Sequence, residues 1–374
     1  MFAPLPFACM SILNGIFAPR LRGNVLCQDS LPPKQRVSLL IPARNEAENL
    51  KILLPILKER FSNPKHETDP MFEIIFLNDH SKDNTQFLIR SFEFTVIEGK
   101  PLPEGWTGKS WACHQLAEVA SGDIFIFMDC DVRASWKAWV GTRKLFETDP
   151  SLQALTLLPR QETHGLLARM VIPWVMQVSI FALLPLKLLP SIFRESLALA
   201  NGQWLAIRRS AYNKIGGHSA VKNSAIEDMA IARLLKHARL KTSVRIASHD
   251  LSVEMYSGSR ALIEGFSKNL YFLVGQSPLA AVSVGVGMLV IGCAPLFLLA
   301  FRQVNAAIVA WLFILIWRMS VSISFRSGFL DLIFQVFIGH GLGAICTFLI
   351  LMRSMKLSRA GKNIWKGRSL ARIV

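Results

Sequence analysis

Three long apolar stretches crowd the last quarter of this chain and limit where it can fold. Pro278 to Phe301 and Leu332 to Met352 contain no Asp, Glu, Lys or Arg, and Val304 to Ile323 contains one, Arg318. Each reaches the roughly 20 residues that cross a bilayer as a helix. The opening stretch, Met1 to Pro19, is also apolar, but Pro4, Pro6 and Pro19 interrupt it and it lacks the leading positive charge of a secretory signal. Arg20, Arg22, Lys34 and Arg36 follow it, and Arg353, Lys356, Arg359, Lys362, Lys366, Arg368 and Arg372 end the chain without an acid. Both runs belong on the cytosolic side of a membrane. Three full crossings would export the tail away from a cytosolic domain, so one stretch is expected to enter and leave on the same face. Val304 to Ile323, with Asn305 and Arg318, is the expected one.

The organisation that follows is a membrane-associated segment at 1–34, an α/β domain at 35–270, transmembrane helices within 278–352 and a basic cytosolic tail at 353–374. Between Gln35 and Ser135, short β-rich runs alternate with helical patterns: Val37 to Pro42, Phe72 to Asn78, Phe94 to Glu98 and Ile124 to Met128. Such alternation predicts a parallel α/β sheet. Leu50, Leu53, Leu54 and Leu57 share one face of the helix after the first run, and Asp83, Asn84 and Thr85 stand where the next helix needs a cap. Polar residues gather after each run, at the carboxyl ends where open α/β sheets bind ligands. Leu166 to Pro190 is greasy, yet Arg169, Pro173, Gln177, Pro185 and Lys187 punctuate it, which suits a helix or hairpin lying in the membrane interface.

A net charge of +16 is not evidence of nucleic-acid binding here, because the basic residues lack interleaved aromatics and any recognition motif. Anionic lipid and an anionic sugar nucleotide account for it. The six cysteines, Cys9, Cys27, Cys113, Cys130, Cys293 and Cys346, form no C-x-x-C pair, which predicts reduced thiols rather than a zinc knuckle or disulfide frame.

The chemistry concentrates at Ile124-Phe125-Ile126-Phe127-Met128-Asp129-Cys130-Asp131, where a wholly apolar run delivers two carboxylates one residue apart. Oxygen ligands of this kind suit Mg²⁺ or Mn²⁺, and a cation that keeps open positions for phosphate oxygens binds and activates a diphosphate-bearing substrate.

Around that pair, Ile41-Pro42-Ala43-Arg44-Asn45-Glu46, Asn78-Asp79-His80-Ser81, Gly105 to Trp111, Gly216-Gly217-His218 and Glu227-Asp228 occur in an order that resembles the family 2 glycosyltransferases of the GT-A fold, over roughly Val37 to Asn269. Within that family, Gly105 to Cys113, Ala200-Asn201-Gly202-Gln203 and Trp365-Lys366-Gly367-Arg368 are most similar to membrane-bound transferases of carotenoid and hopanoid pathways. The resemblance implies a nucleotide-sugar site at Pro42, Ala43, Asn45, Glu46, Asp79, Lys109 and Asp129. Ala43, Asn45 and Glu46 would border base and ribose, Asp79 would hydrogen-bond the uracil or ribose, and Lys109 would sit by the diphosphate as a point charge. Asp131, helped by Asp129, would hold Mg²⁺ or Mn²⁺. Asp228 would be the general base for one inverting displacement. A uridine diphosphate hexose is the expected donor and a lipid the expected acceptor, with the catalytic domain on the cytoplasmic face.

Two departures stand out. Asn78 occupies a position where the family often has an acid, and no Gln-x-x-Arg-Trp follows Asp228, Arg260 and Lys268 being the basic positions nearest to where that motif would stand; this argues against a processive polysaccharide synthase. Transfer to a polyprenyl phosphate is an alternative with the same site. A haloacid-type phosphatase, with Asp129 as nucleophile, is an alternative of another class, but it would place the motif on its first strand, and about 120 residues of nucleotide-site-like sequence precede it here.

Overall fold

The computed structural model describes residues 5–21, 35–61, 71–178, 180–181, 184–362, 364–365 and 368–369. Arg22, Lys34, Lys366, Gly367, Arg372 and the first four residues of the N-terminal stretch lie outside this set. A seven-stranded mixed sheet organises the α/β domain, in the order β3 (Thr95–Glu98), β2 (Phe72–Asn78), β1 (Val37–Ala43), β4 (Ile124–Met128), β8 (Trp204–Arg208), β6 (Leu152–Leu158), β9 (Lys241–Ile246). β1 runs parallel to β2 and β4, while β8 runs antiparallel to β4 and β6.

The strands are apolar on both faces because both faces are covered. Leu39, Ile41, Ile126 and Met128 pack with Leu50, Leu53 and Leu54 of α2 (Ala47–Phe61) and with Trp139 of α5 (Trp136–Thr148). The alternate residues Leu40, Phe125 and Phe127 pack with Ala112 and Leu116 of α4 (Gly108–Val119) and with Ile231 and Leu235 of α8 (Glu227–His237). α3 (Thr85–Ser91) joins the first of these layers through Ile89, and α7 (Arg209–Lys214) joins the second through Ala211 and Tyr212. A small second sheet, β5 (Val132–Ala134), β10 (Leu251–Val253) and β7 (Arg160–Gln161), begins immediately after Asp131. α8 begins at Glu227, so Glu227 and Asp228 are its first turn.

Leu166 to Pro190 leaves the α/β domain as α6 (Leu166–Pro173), continues through a π turn at Trp174–Val178 and comes back at Leu189, whose carbonyl accepts from Lys236 Nζ. Much of it packs against protein, while Leu166, Lys187 and Leu188 are exposed. Val171, Ile172 and Trp174 are buried, and α6 lies against α9 (Ser259–Leu273) and the last apolar helix. Asn14 of α1 (Leu5–Phe17) closes the return by donating to the carbonyls of Phe181 and Leu184 and accepting from Leu186 N.

Three helices are long and apolar enough to cross a membrane: α10 (Pro278–Ala300), α11 (Val304–Phe325) and α12 (Phe329–Arg359). The re-entrant reading of Val304 to Ile323 is corrected, because that stretch is one unbroken helix joined to α10 by Phe301, Arg302 and Gln303 alone. Its far end meets the α/β domain, where Ser248 Oγ donates to Ser324 O at 2.7 Å and Arg326 reaches His249 at 3.1 Å. Arg318 did not force a reversal because it is buried against His340 and does not face outward. The stretch with both ends on the preceding domain is α12. Asp331 pairs with Arg169 at 2.9 Å near its start, and Ser354 Oγ accepts from Tyr271 N at 3.0 Å near its finish. Beyond it, Ile364–Trp365 and Arg368–Ser369 pair as an antiparallel two-stranded ribbon.

Candidate functional site

The carboxyl end of β4, the first turn of α4 and the first turn of α8 meet at one point. Thr107 caps α4 through its side chain, which aims the first-turn Lys109 across the end of β4. Lys109 Nζ lies 2.8 Å from Asp129 Oδ1 and 3.0 Å from Glu227 Oε1. Asp228, next to Glu227, accepts from Gly202 N at 2.6 Å. A methyl on Gly202 would stand 3.0 Å from Lys109 Nζ and 3.2 Å from Asp228 Oδ2, so backbone, ammonium and carboxylate share one crowded spot. A small cavity here is lined by Pro42, Lys109, Asp129, Gly202, Glu227 and Asp228. The sequence-predicted acids on β4 and α8 are thus brought together around Lys109.

Five acids and few cations give this site an uneven electrostatic character. Burial, with Asp129 and Glu46 as negative neighbours, pushes Asp131 up to about 8. Burial also raises Asp129, although Lys109 pulls the other way. Asp228 is raised to about 6, first by burial and then by Glu227. Burial acts against Glu227 too, but Lys109 outweighs it and holds that carboxyl below its ordinary value. His218 is driven down to about 3 by burial and stays neutral. Its Nδ1 sits 2.9 Å from the Tyr212 hydroxyl and its ring packs 4.7 Å from Phe127, so it supports the pocket wall.

A divalent cation fits this arrangement. Asp131 Oδ1 is buried with no hydrogen-bond partner, beside a second carboxylate. A buried carboxylate oxygen is stable when protonated or when a cation meets it. Among the described residues no group of three or more His, Cys, Asp or Glu could hold a metal ion. The two carboxylates would therefore share the ion with substrate phosphates and water, a habit of Mg²⁺-type sites.

The nucleotide-side residues occupy the neighbouring strand ends, and much of their polar capacity goes into shaping the loops. Asn45 has φ 52° and ties the two loops together, its N–H donating to Ser81 Oγ and its Oδ1 accepting from Lys82 N. Glu46 N donates to Thr85 Oγ1, and Glu46 Oε2 accepts from Asn49. Asp79 is buried, with Arg44 Nη1 2.8 Å from its carbonyl and 3.8 Å from its carboxylate. Ala43 O receives the Asp79 N–H, and Pro42 O faces Cys130. Asp83, expected to cap α3, accepts from Thr85 N and Oγ1 and also from Ala47 N, so it serves the start of α2 as well.

Asn78 explains its own departure from the family pattern. Its Nδ2 donates to Glu98 and its Oδ1 accepts from Ser81 N, a pairing that an acid could not make. Trp204 is fully buried against Trp139 and is core, whereas Trp106 and Trp111 stack with His114 at the mouth of α4. Two contributors escaped the sequence reading. Glu227 entered only as part of the Glu227-Asp228 motif but is a direct partner of Lys109, and Gly202 gave only its place in Ala200-Asn201-Gly202-Gln203 as a signal.

Comparison with known proteins bears on family and fold. The family model for Glycosyl transferase family 2 matches residues 38–216. A 4,4'-diaponeurosporenoate glycosyltransferase from Staphylococcus haemolyticus is 26% identical over 251 residues, covering 63% of this chain and 61% of that protein. The protein of the same name from Staphylococcus aureus USA300 is 26% identical over 285 residues, covering 74% and 66%. The chain therefore spans less than two thirds of the length of either relative. Among solved structures, a mannosyltransferase from Pyrobaculum calidifontis in complex with GDP-Man and Mn²⁺ aligns with a TM-score of 0.50 at 14% identity, over 98% of this chain and 96% of that one. At that identity the likeness is one of fold.

Proposed function

We propose that this chain, whose residues 38–216 match the Glycosyl transferase family 2 model, moves a sugar from a nucleotide-diphosphate donor to a lipid-soluble acceptor at a membrane, with inversion at the anomeric carbon. The observation that carries this reading is the convergence of Asp228 with Lys109 and Asp129 at the carboxyl ends of the strands. Asp228 accepts only one N–H from Gly202 and one from Met229, which leaves lone pairs for an incoming acceptor. It takes the proton of an acceptor hydroxyl, or orients an acceptor carboxylate, as the nucleophile reaches the anomeric carbon from the face opposite the diphosphate. Lys109 lies on the leaving-group side and meets the charge that grows on the departing nucleoside diphosphate. Asp131 and Asp129 would hold a divalent cation, which supplies Lewis-acid neutralisation of that charge when bound.

A uridine diphosphate hexose is the expected donor, on the resemblance of the motifs. A carotenoid acid or a similar polyisoprenoid is the expected acceptor class. Support comes from the names of the staphylococcal relatives and from the three apolar helices that adjoin the site's domain. The domain faces the cytoplasm in this reading, because the basic tail follows α12 on the domain's side.

Incubating membranes that contain the full chain with radiolabelled nucleotide sugars, then extracting the lipid and weighing the product, tests donor and acceptor together. Label in the lipid phase is expected; its absence with every common nucleotide sugar overturns the reading. Asp131→Ala is expected to abolish any gain in uridine diphosphate affinity on adding Mn²⁺. An unchanged Mn²⁺ response in a binding titration removes the metal assignment.

A further inference from the structure

The helix layer contains a second polar cluster, made of residues other than those at the strand-end site. Arg318, in α11, is 2% exposed, and His340, in α12, is 1% exposed. Arg318 Nε donates to His340 Nδ1 at 3.0 Å. A ring nitrogen that accepts carries no proton, so the neutral imidazole bears its N–H on Nε2. That atom and Arg318 Nη2 are both buried without a hydrogen-bond partner. Two donors are therefore left facing protein, one of them on a permanent cation.

Among the described residues no carboxylate forms an ion pair with Arg318. Asp331, the acid whose field reaches it, gives its Oδ1 to Arg169 at 3.0 and 2.9 Å. The surroundings are aromatic: the Trp174 ring lies 4.7 Å from His340 and 5.6 Å from the Arg318 guanidinium, and Trp317 stands edge-on 5.4 Å from His340. An unpaired buried charge is among the costliest features a fold can carry, and an ionisable group within a membrane layer marks a site by default. What this one lacks is an acceptor with negative charge.

We propose that Arg318 and His340 form an anion site in the helix layer that takes the acidic head of an amphiphile, a carboxylate or a phosphate. A ligand of amphiphilic kind is required because the outer faces of these helices are apolar, with Ile316, Ile323, Phe337 and Leu342 exposed. Arg318 supplies charge and a donor, His340 Nε2 supplies a neutral donor, and Trp174 covers both. The shared chemistry has two sources, an acid-bearing acceptor lipid or a resident phospholipid. Only the first rests on the transferase reading.

Binding is measured on the delipidated full chain in maltoside micelles by thermal shift, with oleate, dioleoylphosphatidylglycerol and oleyl alcohol as probes. The anionic probes are expected to raise the Tm of the wild type and the neutral alcohol to leave it unchanged. A preference for oleate points to the acceptor, and a preference for phosphatidylglycerol to a resident lipid. Arg318→Leu and the milder His340→Gln are expected to weaken the anionic response at least tenfold while nucleotide binding is retained. An equal response to oleyl alcohol, or a wild-type response in the variant that folds, overturns the proposal. The readout is independent of sugar transfer, so its failure and the failure of the transferase reading are separate events.

Discussion

Asp228 is held by a backbone N–H on each oxygen, Gly202 on Oδ2 and Met229 on Oδ1, and in the proposed role of base its environment decides when it can act. A base works only when deprotonated, and burial together with Glu227 lifts this carboxyl to about 6. Transfer is therefore expected to rise as pH climbs through about 6 and to level off above it. Glu227→Gln removes the adjacent negative charge, so the acid limb is expected to move to lower pH; a pH profile of transfer by wild type and variant checks both. Asp228→Asn keeps the shape but not the basicity. Its transfer rate is expected to fall by about 10²- to 10⁴-fold with donor affinity near that of the wild type, measured by single-turnover kinetics and nucleotide titration. Asp129, Asp131, Lys109 and Asp228 were legible because each stands in a short ordered motif. The donor to Asp228 was not, because a backbone N–H has no letter of its own and Gly202 reaches it only through the fold.

Strands showed more clearly than helix contacts. β2 and β4 begin and end where their apolar runs do, since polar residues at each carboxyl end leave the sheet for the loops. The apolar helices were visible by length, but their partners were not. Arg318 reads as a misfit in α11 until His340, 22 residues away, is placed beside it. Gly343 is a similar case, a small residue whose purpose is supplied by a neighbour. A methyl there would meet the Trp174 ring and stand 2.5 Å from the Met170 carbonyl oxygen, where α12 crosses α6. Gly343→Ala is expected to destabilise the fold by about 1–3 kcal/mol, the usual cost of overpacking, seen as a lower apparent Tm in detergent. Gly287→Ala, with open space around its Cβ position, is the control and is expected to leave Tm unchanged.

At the scale of the whole molecule, α10 and α11 are joined by an exposed turn, Phe301, Arg302 and Gln303. The end of α11 and both ends of α12 contact earlier parts of the chain through Ser248, His249, Arg169 and Tyr271. Cysteine placed at Arg302 and at Ala360 is expected to react with an impermeant maleimide from opposite faces of sealed vesicles; labelling of both from one face would contradict this. The exit of α1 is anchored as well, with Leu21 N donating to Ile246 O and Ile246 N to Pro19 O. With the contacts of Ser324, Arg326, Asp331 and Ser354, the sheet is tethered to its helices at both edges of the site. In the proposed reading these ties hold the cleft at a set height relative to the apolar helices, so an acceptor lipid is expected to be glycosylated when its reactive group reaches that level, whatever the length of the tail it leaves behind.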